Sequence, residues 1–228
     1  MISDNLAQIR SNIIQAAHKA KRNPETIKLV AVSKFVPIDR VQEALACGQT
    51  LFGENYLQEA AEKISTIGAR AKWHFIGHLQ SNKAKQAVTL FDMVETVDRL
   101  KIAKALDSQA THLGKTLSVL IQVNIGREPQ KSGILPEETE QLIQAIRQET
   151  ALKVCGLMAM PPFFDAPEKC RPYFQRLREL ANQLAERQLF ADNTHVELSM
   201  GMSGDYPVAI EEGATIVRVG TALFGSRN

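Results

Sequence analysis

Residues 117–124 read LSVLIQVN, and residues 137–149, which follow after a loop, read EETEQLIQAIRQE. The first stretch is apolar at consecutive positions, as expected for a strand that is buried on both faces. The second stretch has the composition of a helix. A buried strand followed by a helix is the repeating unit of a parallel sheet, so these residues predict one βα unit.

The same alternation runs along the chain and predicts the fold class. β-rich runs are found at residues 27–33, 50–53, 72–77, 91–96, 117–124, 153–159, 195–199 and 215–219. Stretches of helical composition lie between them, at residues 38–47, 56–67, 83–89, 99–112, 137–149, 167–188 and 205–212. Eight units predict an α/β protein of the (β/α)8 TIM-barrel type. A doubly wound open sheet is the alternative if a short run such as 50–53 is not a strand.

The first 22 residues predict an extra helix in front of the barrel. Apolar residues recur there at helical spacing, at Ile2, Leu6, Ile9, Ile13 and Ala17. The stretch lacks the continuous apolar core of a signal peptide. Because no linker or shift in composition divides the chain, we expect residues 1–228 to form a single domain.

The composition is typical of a soluble globular protein. The 228 residues are 44% hydrophobic and 23% charged, with a formal net charge of +2. This balance indicates no nucleic-acid or membrane partner, and no apolar run approaches the ~20 residues that span a bilayer. Three cysteines without a CxxC pair are typical of a reducing compartment. We therefore expect a cytoplasmic protein.

A barrel places its chemistry at the carboxyl ends of the strands, and Lys34 follows the first strand there. An ammonium group over a partly apolar floor is desolvated, which favours the neutral amine. A neutral amine can condense with an aldehyde to form a Schiff base. The alternative interpretation of Lys34 is a surface lysine in a βα loop.

Polar residues also follow the last two strands. Arg218 lies within an otherwise apolar strand and needs a partner, either a ligand or a group on a neighbouring strand. The loop that follows it begins with Gly220 and Thr221, at a place where barrels frequently bind phosphate. The loop after the seventh strand offers hydroxyls and backbone N–H groups of Ser199, Gly201, Ser203 and Gly204. This loop is either an anion-binding nest or a plain helix cap.

Three familiar motifs are absent or incomplete. His74 and His78 are four residues apart, but no third ligand has metal-site spacing, so no metal is expected. The GKT fragment at residues 114–116 lacks the upstream glycine of a P-loop. No GxGxxG follows a strand, which argues against a Rossmann dinucleotide site.

The barrel mouth is expected to hold an amine, an arginine and two loops that could bind phosphate. Together these groups suit an aldehyde that carries a phosphate and a ring nitrogen. Pyridoxal 5'-phosphate is such a molecule. A sugar-phosphate enzyme that uses Lys34 as its Schiff-base lysine is a further alternative, but it explains fewer of these residues.

The chain as a whole resembles the pyridoxal phosphate homeostasis protein family, the single-domain relatives of the alanine racemase barrel. The motifs that carry the resemblance are AVSK (31–34), FGENYLQE (52–59), WHFIGHLQSNK (73–83), QVNIGREPQKSG (122–133), GLMAMPP (156–162), ELSMGMSGDY (197–206) and VRVGTALFG (217–225). The resemblance implies a barrel of PLP fold type III with the cofactor attached to Lys34 as an aldimine. It also implies Arg218 at the pyridine nitrogen and Asn55 beside the ring. Phosphate is then held by Gly220, Thr221 and the 199–203 loop, with Ser199 and Ser203 as competing hydroxyls.

The resemblance implies a non-catalytic protein that buffers or delivers the cofactor in vitamin B6 homeostasis, with apo PLP enzymes as recipients. A low-efficiency amino-acid racemase is the alternative. An arginine keeps its proton and leaves the ring nitrogen unprotonated, which weakens the ring as an electron sink. A racemase also needs a second acid/base, for which Tyr56 and Tyr206 in the expected mouth loops are candidates. The chain ends nine residues after Val219, so we expect no covering domain and a monomer.

Overall fold

A computed structural model of the chain describes residues 1–225, and its eight parallel strands form a closed barrel in sequence order. The strands are β1 (Lys28–Val32), β2 (Leu51–Glu54), β3 (Lys72–Phe75), β4 (Met93–Val97), β5 (Ser118–Val123), β6 (Lys153–Ala159), β7 (Glu197–Ser199) and β8 (Ile216–Val219). Residues 226–228, which the single-domain prediction includes, lie outside the described residues.

The helices alternate with the strands. They are α1 (Ile2–Lys19), α2 (Ile38–Ala46), α3 (Leu57–Ile67), α4 (Ala84–Leu90), α5 (Leu100–His112), α6 (Thr139–Glu149), α7 (Arg171–Glu186), α8 (Tyr206–Glu211) and α9 (Thr221–Phe224). Each predicted helical stretch therefore contains a helix, and the predicted extra helix at the N-terminus is α1.

Pairing between the first and last strands closes the sheet. β1 pairs with β2 on one side and with β8 on the other, and Val30 lies opposite Arg218 in the β1–β8 register. The barrel prediction is confirmed, and the open doubly wound sheet is wrong. Even the short run at 50–53 belongs to a strand, β2, which pairs with both β1 and β3.

Two apolar layers hold the barrel and its helices together. The inside of the barrel contains a small cluster of four buried residues, Val30, Leu120, Met158 and Ile216. The larger cluster lies between the strands and the surrounding helices. Helix α1 contributes its predicted apolar face to it and packs against α8 and α9. The strands are buried on both faces, as their continuous apolar runs predict.

Two local features differ from the sequence prediction. Helix α7 begins only at Arg171, because residues Pro167–Cys170 form a 3-10 turn. Tyr206, expected in a mouth loop, is instead the buried first residue of α8, and its hydroxyl accepts a hydrogen bond of 2.9 Å from Asn12 Nδ2 of α1. Within residues 1–225, none of the helices combines the length and apolar character that a membrane span requires.

Candidate cofactor-binding site

A cavity of about 520 Å³ opens at the carboxyl ends of the strands. It is lined by seven of the residues proposed from sequence, namely Lys34, Asn55, Ser203, Gly204, Arg218, Gly220 and Thr221. Ser199 and Gly201, the other two, are not among the lining residues. One wall is apolar and comes from Met160 and the loop that follows β6, with Pro162, Phe163 and Phe164. The cavity thus combines a polar end with an apolar side, as ligand sites commonly do.

Lys34 reaches the cavity from a tight turn just after β1. The Val36 N–H donates to the Ser33 carbonyl oxygen at 2.9 Å and closes the turn. Phe35 adopts a φ of 61°, in the left-handed region that non-glycine residues rarely occupy. A backbone of this kind persists only when its surroundings hold it in place. The direction of the Lys34 side chain therefore depends on what fixes Ser33 and Phe35.

Arg218 lies deep in the barrel, with only 3% of its surface exposed. Its Nη1 donates to Ser199 Oγ at 2.6 Å and its Nη2 donates to the Ala159 carbonyl oxygen at 3.0 Å. Ser199 in turn donates to Glu95 Oε2 at 2.5 Å. Both interpretations of Arg218 therefore hold in part, because it contacts neighbouring strands and also lines the cavity.

A buried carboxylate balances the charge of Arg218. Glu95 Oε1 lies 2.6 Å from His74 Nδ1. Burial alone would raise the pKa of Glu95, but the hydrogen bond from His74 and the charges of His74 and Arg218 hold that pKa below its ordinary value. Burial lowers the pKa of Arg218, and the charges of Glu95 and Asp205 oppose this effect. An arginine stays protonated at neutral pH even in such surroundings.

Ser203 brings the loops after β7 and β8 together. Its Oγ accepts hydrogen bonds from the backbone N–H groups of Gly220 and Ala222, both at 3.2 Å. The turn that carries Ser203 is fixed by Asp205, whose Oδ1 accepts from the Met202 N–H at 2.6 Å. The two amides thus hold the Ser203 oxygen in place at the cavity wall, and the hydroxyl keeps a proton that it can donate to an anion.

Gly201 serves the packing beneath this loop. Its φ is 92°, and a Cβ at this position would lie 2.6 Å from Ala209 Cβ. Its carbonyl oxygen accepts from the Arg218 N–H at 3.0 Å. The glycine therefore lets the loop approach α8 closely and supports the cavity from behind.

Asn55 carries an unsatisfied polar atom next to the cavity. Its Oδ1 is buried and has no hydrogen-bond partner within the described part of the chain. Gly77, which the sequence analysis did not single out, makes this position possible, since a Cβ there would lie 2.2 Å from the Asn55 carbonyl oxygen. A buried acceptor without a partner is costly, so Asn55 Oδ1 would be stabilised by a donor on a molecule bound in the cavity.

The two histidines considered for a metal have other contacts. His74 is bound to Glu95, and His78 Nδ1 lies 3.3 Å from Ser132 Oγ. Among residues 1–225 no group of three or more His, Cys, Asp or Glu side chains is placed to hold a metal ion.

The sequence analysis also missed charged residues that support the site. Glu95, Glu54 and Lys63 are all buried. Glu95 lies within the β-rich run at 91–96, and Glu54 directly follows the run at 50–53, so each places a charge in or next to a predicted buried strand. That signal could have identified them, whereas Lys63 lies on a helix with ordinary helical composition.

Comparison with known proteins gives one consistent family. Residues 5–228 match the family model "Alanine racemase, N-terminal domain". A pyridoxal phosphate homeostasis protein of Pasteurella multocida is 45% identical over 230 residues, which cover 100% of this chain and 98% of the relative. The corresponding protein of Escherichia coli K12 is 44% identical and is covered over 97% of its length.

Solved structures agree with these relatives. PipY of Synechococcus elongatus, solved with PLP bound, has a TM-score of 0.85 and 36% sequence identity, and the match covers 99% of this chain and 100% of PipY. An alanine racemase of Clostridium difficile has a TM-score of 0.72 at 18% identity, and only 57% of that enzyme is covered. The second likeness is one of fold alone.

Proposed function

The chain belongs to the pyridoxal phosphate homeostasis protein family, and we propose that it holds pyridoxal 5'-phosphate at the barrel mouth and buffers or delivers it. The observation that carries the proposal is that one cavity is lined by Lys34, Arg218 and the Ser203–Gly220 contact. These groups match the aldehyde, the ring nitrogen and the phosphate of one molecule. Further support comes from PipY, a relative solved with PLP bound.

The described residues fit this cofactor. Asn55 Oδ1 is a buried acceptor without a partner, so a donor on the ligand would satisfy it. The Ser203 hydroxyl oxygen accepts from the amides of Gly220 and Ala222, so its own proton is free to be donated to a phosphate oxygen in the cavity. Thr221, between them in sequence, lines the same cavity and can add a hydroxyl. Ser203 is therefore our choice for the phosphate hydroxyl, and Ser199 is assigned to holding Arg218.

Each side chain has a distinct task in this proposal. The cofactor supplies an aldehyde and an electron-withdrawing ring when it is bound. Lys34 provides the nitrogen that bonds to the aldehyde carbon, and the aldehyde oxygen leaves as water. Arg218 would meet the ring nitrogen with an N–H donor, and its guanidinium does not release that proton at neutral pH. A ring nitrogen that stays unprotonated stabilises negative charge poorly, which favours holding the cofactor over reacting through it.

The lining of the cavity supports a non-catalytic role. Neither Tyr56 nor Tyr206, the tyrosines considered as a second acid/base, is among the lining residues. Cys170 does line the cavity, but burial and the nearby Asp205 raise the pKa of its thiol to about 12, so it is no base at neutral pH. We therefore propose a holder of the cofactor rather than a racemase.

Visible absorbance of the purified, loaded chain tests the proposal. We expect a band of covalently held pyridoxal phosphate that is lost in Lys34→Ala and kept in Lys85→Ala, since Lys85 is an exposed residue of α4 outside the cavity. Absence of the band in the unmodified chain would refute cofactor binding. Amino-acid racemisation faster than that caused by free pyridoxal phosphate would refute the non-catalytic role.

Delivery needs a separate experiment. The loaded chain is mixed with an apo PLP enzyme in the presence of a scavenger that traps free cofactor. Activation of the enzyme despite the scavenger supports direct delivery, whereas complete suppression supports buffering alone.

We also propose that the chain acts as a single-domain monomer in the cytoplasm. The molar mass of the loaded chain from light scattering tests whether it is a monomer.

A further inference from the structure

A buried group of charges lies behind the turn that carries Lys34. Lys63 of α3 donates to Glu54 Oε1 at 2.8 Å and to Glu59 Oε1 at 2.6 Å. Glu54 has none of its surface exposed, and Lys63 has only 5%. One lysine therefore binds two carboxylates, of which Glu54 is fully buried and Glu59 is partly exposed.

The same three side chains bind the backbone on both sides of Lys34. The Ser33 hydroxyl donates to Glu54 Oε1 at 2.7 Å, and the Ser33 carbonyl oxygen accepts from Lys63 Nζ at 2.5 Å. On the other side, the Phe35 N–H donates to Glu59 Oε1 at 2.6 Å. The residues before and after Lys34 are thus fixed by one connected network.

The network also explains the unusual backbone at Phe35. A φ of 61° is unfavourable for an aromatic residue, and the hydrogen bond to Glu59 holds the amide in that conformation. With Ser33 and Phe35 both fixed, the Cα–Cβ bond of Lys34 has one direction, which leads into the cavity that Lys34 lines.

Stability gives little reason for such a network. Buried ion pairs lose most of their Coulomb energy to desolvation, and well-packed apolar residues often stabilise a fold as well or better. Glu54 Oε2 is in addition buried with no partner in the described chain, which adds a further cost. A costly polar network that contacts both neighbours of one functional lysine is better explained by the position it gives that lysine.

We infer that Lys63 is a positioning residue, which acts through Glu54 and Glu59 to hold the Ser33–Phe35 turn and so directs the Lys34 amine toward the aldehyde of the cofactor. This inference rests on the proposed binding of pyridoxal phosphate. It concerns the covalent bond to Lys34 and not the contacts to the phosphate, which come from the loops after β7 and β8.

The test compares two ligands on the full chain. Pyridoxal 5'-phosphate can bond to Lys34, whereas pyridoxine 5'-phosphate carries a hydroxymethyl group instead of the aldehyde and cannot. In Lys63→Met, the affinity for pyridoxal phosphate is expected to fall about tenfold, as for a lost charged hydrogen bond, while that for pyridoxine phosphate stays within about twofold. Lys63→Arg, which keeps the charge, should restore part of the loss.

A second variant and a control show whether a loss of affinity could come from lower stability of the fold alone. Glu59→Leu removes the acceptor for the Phe35 N–H at a half-buried position of α3, and it should show the same selective loss. Leu106→Ala, which removes buried volume from α5 far from the turn in sequence, lowers stability and should leave both affinities unchanged.

The outcomes separate the inference from the proposed function. Equal losses for both ligands in Lys63→Met and Glu59→Leu, or no loss for either, overturn the positioning role. Failure of the unmodified chain to bind either ligand overturns the proposed function itself.

Discussion

Glu95 on β4 reaches Arg218 on β8 through a single hydroxyl, that of Ser199 on β7. Ser199 donates to the carboxylate and accepts from the guanidinium, so one serine links a buried anion to a buried cation. His74 on β3 adds a further hydrogen bond to this series, on the other carboxylate oxygen of Glu95. Side chains from β3, β4, β7 and β8 thus form one polar layer inside the barrel, beneath the cavity.

The first prediction concerns the charge balance of this layer. Glu95→Gln removes the larger of the two negative charges that act on the buried Arg218 and leaves only that of Asp205. We expect the free energy of unfolding to fall by about 3 kcal/mol, as when one partner of a buried ion pair is deleted. Urea denaturation measures the change. Glu137→Gln, which breaks an exposed contact to Arg127, is the control and should leave the denaturation midpoint unchanged. Equal midpoints for both variants and the unmodified chain would contradict the charge balance described here.

The second prediction concerns pH. Because the pKa of Glu95 is held below its ordinary value of 4.5 in the folded chain, its carboxylate stabilises the fold above that pH. This contribution should be lost as the pH falls through the lowered pKa, so the stability difference between the unmodified chain and Glu95→Gln should shrink in acid. Urea midpoints between pH 3 and pH 7 measure it, an interval chosen to span that ordinary value.

The pKa of Glu54 is shifted in the opposite direction to that of Glu95, so its pH dependence should have the opposite sign. Burial raises its pKa, against the opposing hydrogen bonds of Lys63 and Ser33. A raised carboxyl pKa favours the folded state in acid, and the contribution is lost as the pH rises through the folded value. The unmodified chain should therefore gain stability relative to Glu54→Gln as the pH falls. If the stability difference from the unmodified chain changed with pH in the same direction for Glu95→Gln and Glu54→Gln, these pKa directions would be contradicted.

The third prediction separates the two serines. Ser203→Ala removes the hydroxyl that meets the amides of Gly220 and Ala222, so we expect about tenfold weaker binding of pyridoxal phosphate and no change for pyridoxal, which lacks the phosphate. Ser199→Ala disturbs Arg218 instead, so it should weaken both ligands alike and shift the visible absorbance. Titrations followed by absorbance measure both variants. A phosphate-selective loss in Ser199→Ala would reverse the two assignments.

The fourth prediction gives opposite signs for binding and stability. Asn55→Ala removes a buried acceptor that has no hydrogen-bond partner among residues 1–225. The free energy of unfolding without ligand should stay the same or rise, because an unsatisfied buried group costs about 1–3 kcal/mol. Binding of pyridoxal phosphate should weaken. Calorimetric unfolding with and without the cofactor measures both effects, and a large loss of ligand-free stability would show that Asn55 is paired within the fold.

The fold follows from local sequence signals. β-rich runs, many of them apolar at consecutive positions, mark the strands, and the count of eight predicts closure, which the β1–β8 pairing confirms. The 3-10 turn at Pro167–Cys170 and the one-turn helix α9 were not predicted, because single turns carry little periodicity.

The site is only partly readable from the sequence. Lys34 and Arg218 could be found because one follows a strand end and the other interrupts an apolar strand, whereas Asn55 was expected from the family resemblance alone. The roles of Ser199 and Ser203 could not be separated, because the sequence does not show where β7 ends. In the structure Ser199 is the last residue of β7 and pairs with Ile216 of β8, whereas Ser203 lies in the loop that follows. Lys63 was missed because its buried partners come from other segments of the chain.

The pairing of β1 with β8 has a consequence for the dynamics of the barrel. Lys34 follows β1 and Gly220 follows β8, so a ligand held by both residues bridges the junction at which the sheet closes. Its binding energy then opposes any fluctuation that separates the first strand from the last, while fluctuations at other strand pairs are affected less. Occupancy of the cavity should therefore slow amide hydrogen exchange most at this junction, and release of the ligand would allow it to open.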